Sequence, residues 1–222
     1  VDNPLKYYRN NLGSTVNLLK GMNEAGISNL VFSSSCTVYG QPDKLPVNEQ
    51  APIKEAWSPY AQTKQMAEKI IEDVVEVSGI KSILLRYFNP IGAHESGLIG
   101  EKSNGIPNNL VLYIAQVASG QLPYLKIFGK DYPTKDGTGV RDYIHVTDIA
   151  EGHQSALEFP DQQSGWHAIN PGTGTGYSVL DVVSAFEQAS GQHISCQICP
   201  RRAGDVATCY AKTDKAGTQL CW

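Results

Sequence analysis

The chain has 222 residues, of which 41% are apolar and 18% charged, and its formal net charge is -4. That is enough for one good-sized core or two small ones. The composition disfavours disorder, and mild acidity disfavours bulk nucleic-acid binding, which uses a basic face. No apolar run reaches the ~18–20 residues of a membrane span. Five cysteines without regular spacing are not a secreted disulfide scaffold, so a cytoplasmic setting is expected.

Leu5, Tyr8, Leu12, Val16 and Leu19 recur at helical spacing between Pro4 and Gly26, which predicts a helix over residues 4–25. Leu30-Val31-Phe32 reads as a short buried strand that ends in the polar run Ser33-Ser34-Ser35-Cys36-Thr37. Ser58 caps a second helix, with Pro59 at its first position, running to about Val77 before Gly79. Residues 82–87 form the next strand and lead into Phe88-Asn89-Pro90. Strand, helix and strand of these lengths make a parallel unit with a right-handed crossover. Shorter elements come next: a helix at 110–119, strands at 125–128 and 141–146, and a helix at 148–157. A strand at 166–170, a helix at 178–189 capped by Ser178 with Asp181, and a strand at 193–198 complete the chain. The expected fold class is α/β. Residues 1–90 are the C-terminal part of a Rossmann-like doubly wound parallel sheet, and 91–222 a smaller mixed α/β domain with segments returning to that sheet.

Tyr60 and Lys64 stand four residues apart on one helix face. A free tyrosine has a pKa near 10, so a phenolate base at neutral pH needs about 4 kcal/mol of stabilisation. A lysine cation in a partly dry site supplies charge of the right sign. Such a pair also arises as core plus solvated face, and it is location that points to chemistry. Ser35 and Thr37 lie at the carboxyl end of the preceding strand, where open α/β sheets hold ligands, and Phe88-Asn89 lies at the mouth of the next. Two other features are set aside. Gly172-Thr173-Gly174-Thr175-Gly176 lacks the final glycine spacing of a phosphate loop and is expected to be a flexible turn. Cys196 and Cys199 have no second pair at zinc spacing, so buried or edge cysteines are expected, with no metal site.

Five segments carry a resemblance: Ser-Ser-Ser-Cys-Thr-Val-Tyr-Gly (33–40), Ser-Pro-Tyr-Ala-Gln-Thr-Lys (58–64), Leu-Arg-Tyr-Phe-Asn-Pro-Ile-Gly-Ala (85–93), Gly-Ile-Pro-Asn-Asn-Leu (105–110) and Asp-Gly-Thr-Gly-Val-Arg-Asp-Tyr-Ile-His-Val (136–146). Together they resemble the UDP-glucose 4-epimerase family of extended short-chain dehydrogenases/reductases. The resemblance implies that residues 1–90 belong to an NAD-binding domain and 91–222 mainly to a UDP-sugar-binding one. It implies Tyr60 as the base for the sugar 4-hydroxyl, Lys64 lowering its pKa and holding the nicotinamide ribose, and Ser35 bridging sugar and tyrosine with Thr37 nearby. Hydride would pass from C4 to NAD and back through a 4-keto sugar. Asn10 and Phe88 match cofactor positions. Asn89, Asn109, Leu110, Lys126, Ile127, Phe128, Arg141, Tyr143, Arg202 and Asp205 match substrate positions. Two arginines suit a pyrophosphate, and Asp205 suits ribose hydroxyls.

Cys209 aligns with a family position that is tyrosine in enzymes restricted to UDP-hexoses, which implies that UDP-GlcNAc and UDP-GalNAc are also accepted. The family also implies a homodimer through the helices at 4–25 and 59–77. Nothing preceding Asn10 has the glycine-rich turn that cradles a dinucleotide pyrophosphate, and the βαβ units that would carry it need about sixty residues. The chain is therefore expected to be a piece cut at both ends. Two rival readings are a nucleotide-sugar dehydratase and an inactive binding fragment. The first needs an acid pair near Ser35, where Ser35-Cys36-Thr37 offers no carboxylate.

Overall fold

Asn3 accepts the Lys6 amide, and Pro4 takes the first helical position, where its missing N–H costs nothing. The computed structural model describes residues 3–102, 105, 107–159 and 164–222. Ile106 of the 105–110 segment lies outside the described residues. The first helix is continuous but changes pitch: α1 (Pro4–Tyr7), a π-helical turn (Tyr8–Leu12) and α2 (Gly13–Glu24). One extra residue in such a turn rotates the rest of the helix by about 100°. The buried face of α2 is accordingly Thr15, Leu19 and Met22, whereas Leu5 and Val16 of the simple helical stripe are exposed.

β1 (Asn29–Ser33) leads into a 3-10 turn (Cys36–Tyr39) and then α3 (Pro59–Ser78). Ser58 Oγ caps α3 by accepting the Ala61 amide at 3.1 Å, and Gly79 ends it at φ 72°, a left-handed conformation that glycine adopts without strain. β2 (Lys81–Leu85) returns parallel to β1, with Val31 opposite Ile83. β3 (Asn89–Ile91) comes after it, a three-residue strand the sequence did not announce. Next are α4 (Leu110–Ala118) and β4 (Leu125–Phe128). The strand expected at 141–146 is two strands of different sheets, β5 (Val140–Arg141) and β6 (Tyr143–His145). Asp142 separates them because its wholly buried carboxylate accepts from Thr173, Gly174 and Ala211.

α5 (Val146–Glu158) begins where that strand was expected to end. β7 (Trp166–Ile169) pairs parallel to β2, giving the order β1-β2-β7. β8 (Tyr177–Ser178) runs into α6 (Val179–Ser190), which has the expected Ser178–Asp181 capping box. β9 (Cys196–Cys199) lies parallel to β4, starting later than expected. β10 (Thr208–Cys209) pairs with β5, and α7 (Asp214–Gln219) closes the chain.

Alternation along β2 sends Leu84 to one face and Ile83 and Leu85 to the other. Leu84 packs with Leu19 and Met22 of α2 and Ile71 and Val75 of α3. Ile83 and Leu85 pack with Ala156 of α5 and Ala216 of α7. Helices thus cover both faces, as in a doubly wound sheet, and each buried leucine or isoleucine contributes about 1.5–3 kcal/mol.

Candidate active site

The carboxyl end of β1 distributes its three serines to three partners. Ser33 Oγ lies 2.9 Å from His153 Nε2, whose Nδ1 is 2.8 Å from the Ile149 carbonyl. The histidine therefore donates from Nδ1 and accepts the Ser33 proton at Nε2. Ser34 donates to the buried Glu68 carboxylate. Ser35, extended at φ -156°, caps the 3-10 turn by accepting from the Thr37 amide at 3.3 Å and the Thr37 hydroxyl at 3.0 Å. With both of those bonds accepted, the Ser35 proton is left for Tyr60, whose phenol Ser35 pulls down.

Tyr60 sits in the first turn of α3, with the Tyr7 ring edge-on at 6.5 Å. One turn on, Lys64 Nζ donates to the Ser33 carbonyl at 2.7 Å and lies 5.7 Å from the Tyr60 ring centroid. Burial pushes the Tyr60 phenol above its ordinary value against the pull of Ser35. Burial pulls Lys64 down against the support of Glu68. In the polypeptide alone, desolvation outweighs the pull of Ser35 on Tyr60.

Beside this cluster opens a cavity of about 530 Å³. Thr37 and Cys36 line it from the 3-10 turn, Asn89 from β3, Asn109 and Leu110 from the start of α4, and Lys126, Ile127 and Phe128 from β4. Arg141, Tyr143, Arg202, Asp205 and Cys209 complete its wall. Arg202 lies 4.8 Å from the Phe128 ring centroid and donates to Asp205 at 2.9 Å, and Arg141 donates to the Val140 carbonyl at 2.9 Å. Burial raises the Tyr143 phenol to about 12 against the pull of both arginines. Asn109 is held by Glu101 at 2.7 Å. The Ile127 side chain is committed to a core cluster with Ile114 and Leu125.

Ser35, Tyr60 and Lys64 stand beside the cavity rather than in its lining, and two further expected positions, Phe88 and Asn10, do not line it either. Phe88 is buried among Val38, Tyr39, Val47 and Cys209, behind the wall. Asn10 is exposed in the π-helical turn, and its neighbour Asn11 makes the bond to Thr63 at 2.9 Å that ties this turn to α3. Cys36, Trp57, Tyr113, Tyr132 and Val206 also line the cavity, and sequence reasoning missed them. No periodicity marks them. Arg201 stacks 4.1 Å from the Tyr132 ring centroid and pairs with Asp131, which separates its role from that of Arg202.

In the 172–176 turn Asp142 accepts the Thr173 and Gly174 amides at 2.9 and 3.1 Å, which leaves those two donors unavailable to a phosphate. Cys196 is exposed on β9 and Cys199 half-buried, and among the described residues no group of three or more His, Cys, Asp or Glu could hold a metal.

A profile described as the NAD dependent epimerase/dehydratase family matches residues 1–172. The chain belongs to that family. Among epimerase/dehydratase relatives, the UDP-glucose 4-epimerase of Bacillus subtilis is 56% identical over 220 residues, 99% of this chain and 65% of that protein. The crystal structure of the UDP-glucose 4-epimerase from Bifidobacterium longum, in complex with NAD+ and UDP, superposes with a TM-score of 0.95 at 50% identity. It covers 99% of this chain and 65% of that one. The UDP-Glc/GlcNAc 4-epimerase of Campylobacter jejuni superposes with a TM-score of 0.80 at 35% identity, over 98% of this chain and 66% of its own. The chain thus spans about two thirds, 65% and 66%, of the length of these family members.

Proposed function

We propose that the whole protein containing this chain interconverts UDP-glucose and UDP-galactose, inverting C4 of the hexose through a 4-keto sugar with NAD as cofactor. The observation that carries this is that the Ser35–Tyr60–Lys64 cluster stands beside a cavity lined by Arg141 and by Arg202, the latter over the Phe128 ring. Proton-transfer groups are coupled there to a site suited to a diphosphate and a flat base.

The donor set fits a dinucleotide. Lys64 spends one N–H on Ser33 and keeps two, which suit vicinal ribose hydroxyls. Tyr60, Ser35 and Ser33 add hydroxyls on the same edge of the sheet. When bound, NAD supplies a reversible hydride acceptor and a positive ring that favours phenolate. The chain's own part is proton transfer and positioning. Tyr60 Oη takes the 4-hydroxyl proton through Ser35, and Thr37 holds the Ser35 oxygen so that its hydrogen points to the relay. Arg141 and Arg202 hold the diphosphate through their forked donors, Asp205 accepts from ribose hydroxyls, and Phe128 offers a face to uracil. Inversion requires both faces of C4 to meet one relay, and a cavity of about 530 Å³ gives the hexose room to turn while the diphosphate stays held.

We extend the reading to UDP-GlcNAc and UDP-GalNAc, because Cys209 leaves space that a tyrosine would fill. The Campylobacter jejuni relative, whose name covers both glucose and N-acetylglucosamine forms, supports this. Two copies would pair through α2 and α3, where Val16, Leu18 and Val77 are exposed. No helix of the described residues is long and apolar enough to cross a membrane, and all five cysteines are free, which suits a reducing cytoplasm.

The test uses the full-length protein and UDP-galactose turnover. Tyr60→Phe is expected to lose about 10²–10⁴-fold in kcat while retaining bound NAD. Unchanged turnover in that variant removes Tyr60 as the base.

A further inference from the structure

Cys36 and Cys209 come from distant parts of the chain. Cys36 opens the 3-10 turn between Ser35 and Thr37, and Cys209 ends β10 opposite Arg141 of β5. Both line the sugar cavity, and they pack together with Val38, Val47 and Phe88. Cys36 packs against the buried cluster that holds Cys209, and each thiol perturbs the other. We infer that these two cysteines are a dithiol site in the cavity wall, which a peroxide converts into a Cys36–Cys209 disulfide that reversibly halts the proton relay.

The environment assigns the roles. The neighbouring Cys36 thiol holds Cys209 below the ordinary value against burial, and Cys209 stands in register with Arg141 of β5, whose charge also favours its thiolate. Cys209 and burial push Cys36 well up. Cys209, placed beside the cation, is the attacking sulfur and Cys36 the resolving thiol. Cys209 sulfur attacks one peroxide oxygen; the S–O bond forms, the O–O bond breaks, and the leaving hydroxide takes a proton to give water. The Cys36 sulfur then attacks the sulfenic sulfur of Cys209. The S–S bond forms, the S–O bond breaks, and the Cys36 proton leaves with hydroxide as a second water. Two thiols lose two electrons, and the peroxide is reduced to two waters.

A disulfide brings two sulfurs to about 2.05 Å, much closer than two unbonded thiols approach. Closing that gap draws Cys36 toward β10, and its chain neighbours Ser35 and Thr37 move with it. Ser35 Oγ then leaves its place beside Tyr60. The bond itself depends only on the thiol pair; its effect on turnover rests on the proposed epimerase function.

The experiment uses full-length protein in which Cys196, Cys199 and Cys221 are serine. It is treated with hydrogen peroxide, alkylated, digested and read by mass spectrometry, with UDP-galactose turnover measured in parallel. The expected result is a linked peptide pair joining Cys36 to Cys209 that dithiothreitol separates. Turnover is expected to fall roughly tenfold or more and to recover with the same reductant. Cys36→Ser should give a dimedone-trapped Cys209 and no link, which keeps the test informative even if that variant is inactive. Recovery of Cys36 and Cys209 as free thiols, or of oxidised Cys209 unlinked in the presence of Cys36, overturns the dithiol. A complete link with unchanged turnover overturns its action on the relay. Reduced protein without any UDP-sugar turnover counts against the epimerase reading, while the peptide result still decides the dithiol.

Discussion

Under the proposed function, position 209 is where one side chain would limit what the cavity accepts. Cys209 is buried at the end of β10 and backed by Phe88 and Ala211, so a larger residue there has no room to retreat and must project into the cavity. In the proposed reaction, a 2-acetamido group on the hexose would need that same volume when the ring turns. Cys209→Tyr is expected to lower kcat/KM for UDP-GlcNAc about tenfold or more while UDP-glucose conversion stays within a few-fold. Wild-type protein without N-acetyl activity, or equal loss on both sugars, removes the specificity reading. Tyr60 illustrates the opposite limit of inference at this scale. Its place beside Ser35 and Lys64 was legible from the Tyr-x-x-x-Lys spacing after a polar strand end. The sign of its pKa shift was not, because desolvation depends on the Tyr7 ring and the surrounding fold rather than on the two residues that mark the motif.

Among the elements, α3 does most to position the site. Tyr60, Lys64 and Glu68 recur at four-residue spacing, so one stripe of the helix reaches the relay, the Ser33 carbonyl and then the sheet. Glu68 and Arg86 pair with both side chains nearly wholly buried, at 2.6 Å, and Arg86 also donates to Tyr39 at 3.1 Å. Ser34 completes the carboxylate's partners, so the pair fixes the carboxyl end of β1 against the helix. Glu68→Gln leaves the guanidinium without its counter-charge and is expected to cost about 3–5 kcal/mol in urea unfolding. A double variant, Glu68→Gln with Arg86→Met, should recover part of that loss. A single-variant cost below about 1 kcal/mol would mean that the pair is hydrated rather than sealed. α3 was legible because Ser58, Pro59 and Gly79 mark both ends. β3 and the division between β5 and β6 were not, since strands of two or three residues show no period, and Asp142 separates the latter pair by accepting bonds from residues far along the chain.

Across the molecule, the relay sits where doubly wound sheets gather ligands, at the carboxyl ends of β1 and β2, and the cavity wall is assembled from segments between residues 36 and 209. Physical reading of the sequence found the sheet, its helices and the neighbourhood of Ser35, Tyr60 and Lys64. Thr37 and Asn89 followed from the strand ends, but wall residues such as Asn109 and Arg202 were reached only through family resemblance, because they meet solely in three dimensions. That wall is tied to α6 by a polar junction with a pH dependence of its own. Ser178 donates to Asp136 and caps α6 together with Asp181, while Lys135 pairs with Asp181 at 2.7 Å. Burial raises Asp136, but hydrogen bonds from Ser178 and Thr138 outweigh it and hold the carboxyl below its ordinary value. Lys135 and the Ser178 amide hold Asp181 down as well. A carboxyl depressed in the folded state binds protons less readily than in the unfolded chain. The junction's contribution is therefore complete above the unfolded value near 4 and is lost as pH falls through the lower folded values. Asp136→Asn is expected to cost about 1 kcal/mol at pH 7, the partial exposure of the group having screened its charge. It should also flatten the acid limb, so that the gap in Tm between variant and wild type narrows from pH 7 to pH 3. Parallel loss of Tm in the two proteins over that range would show that Asp136 binds its proton alike in the folded and unfolded chain.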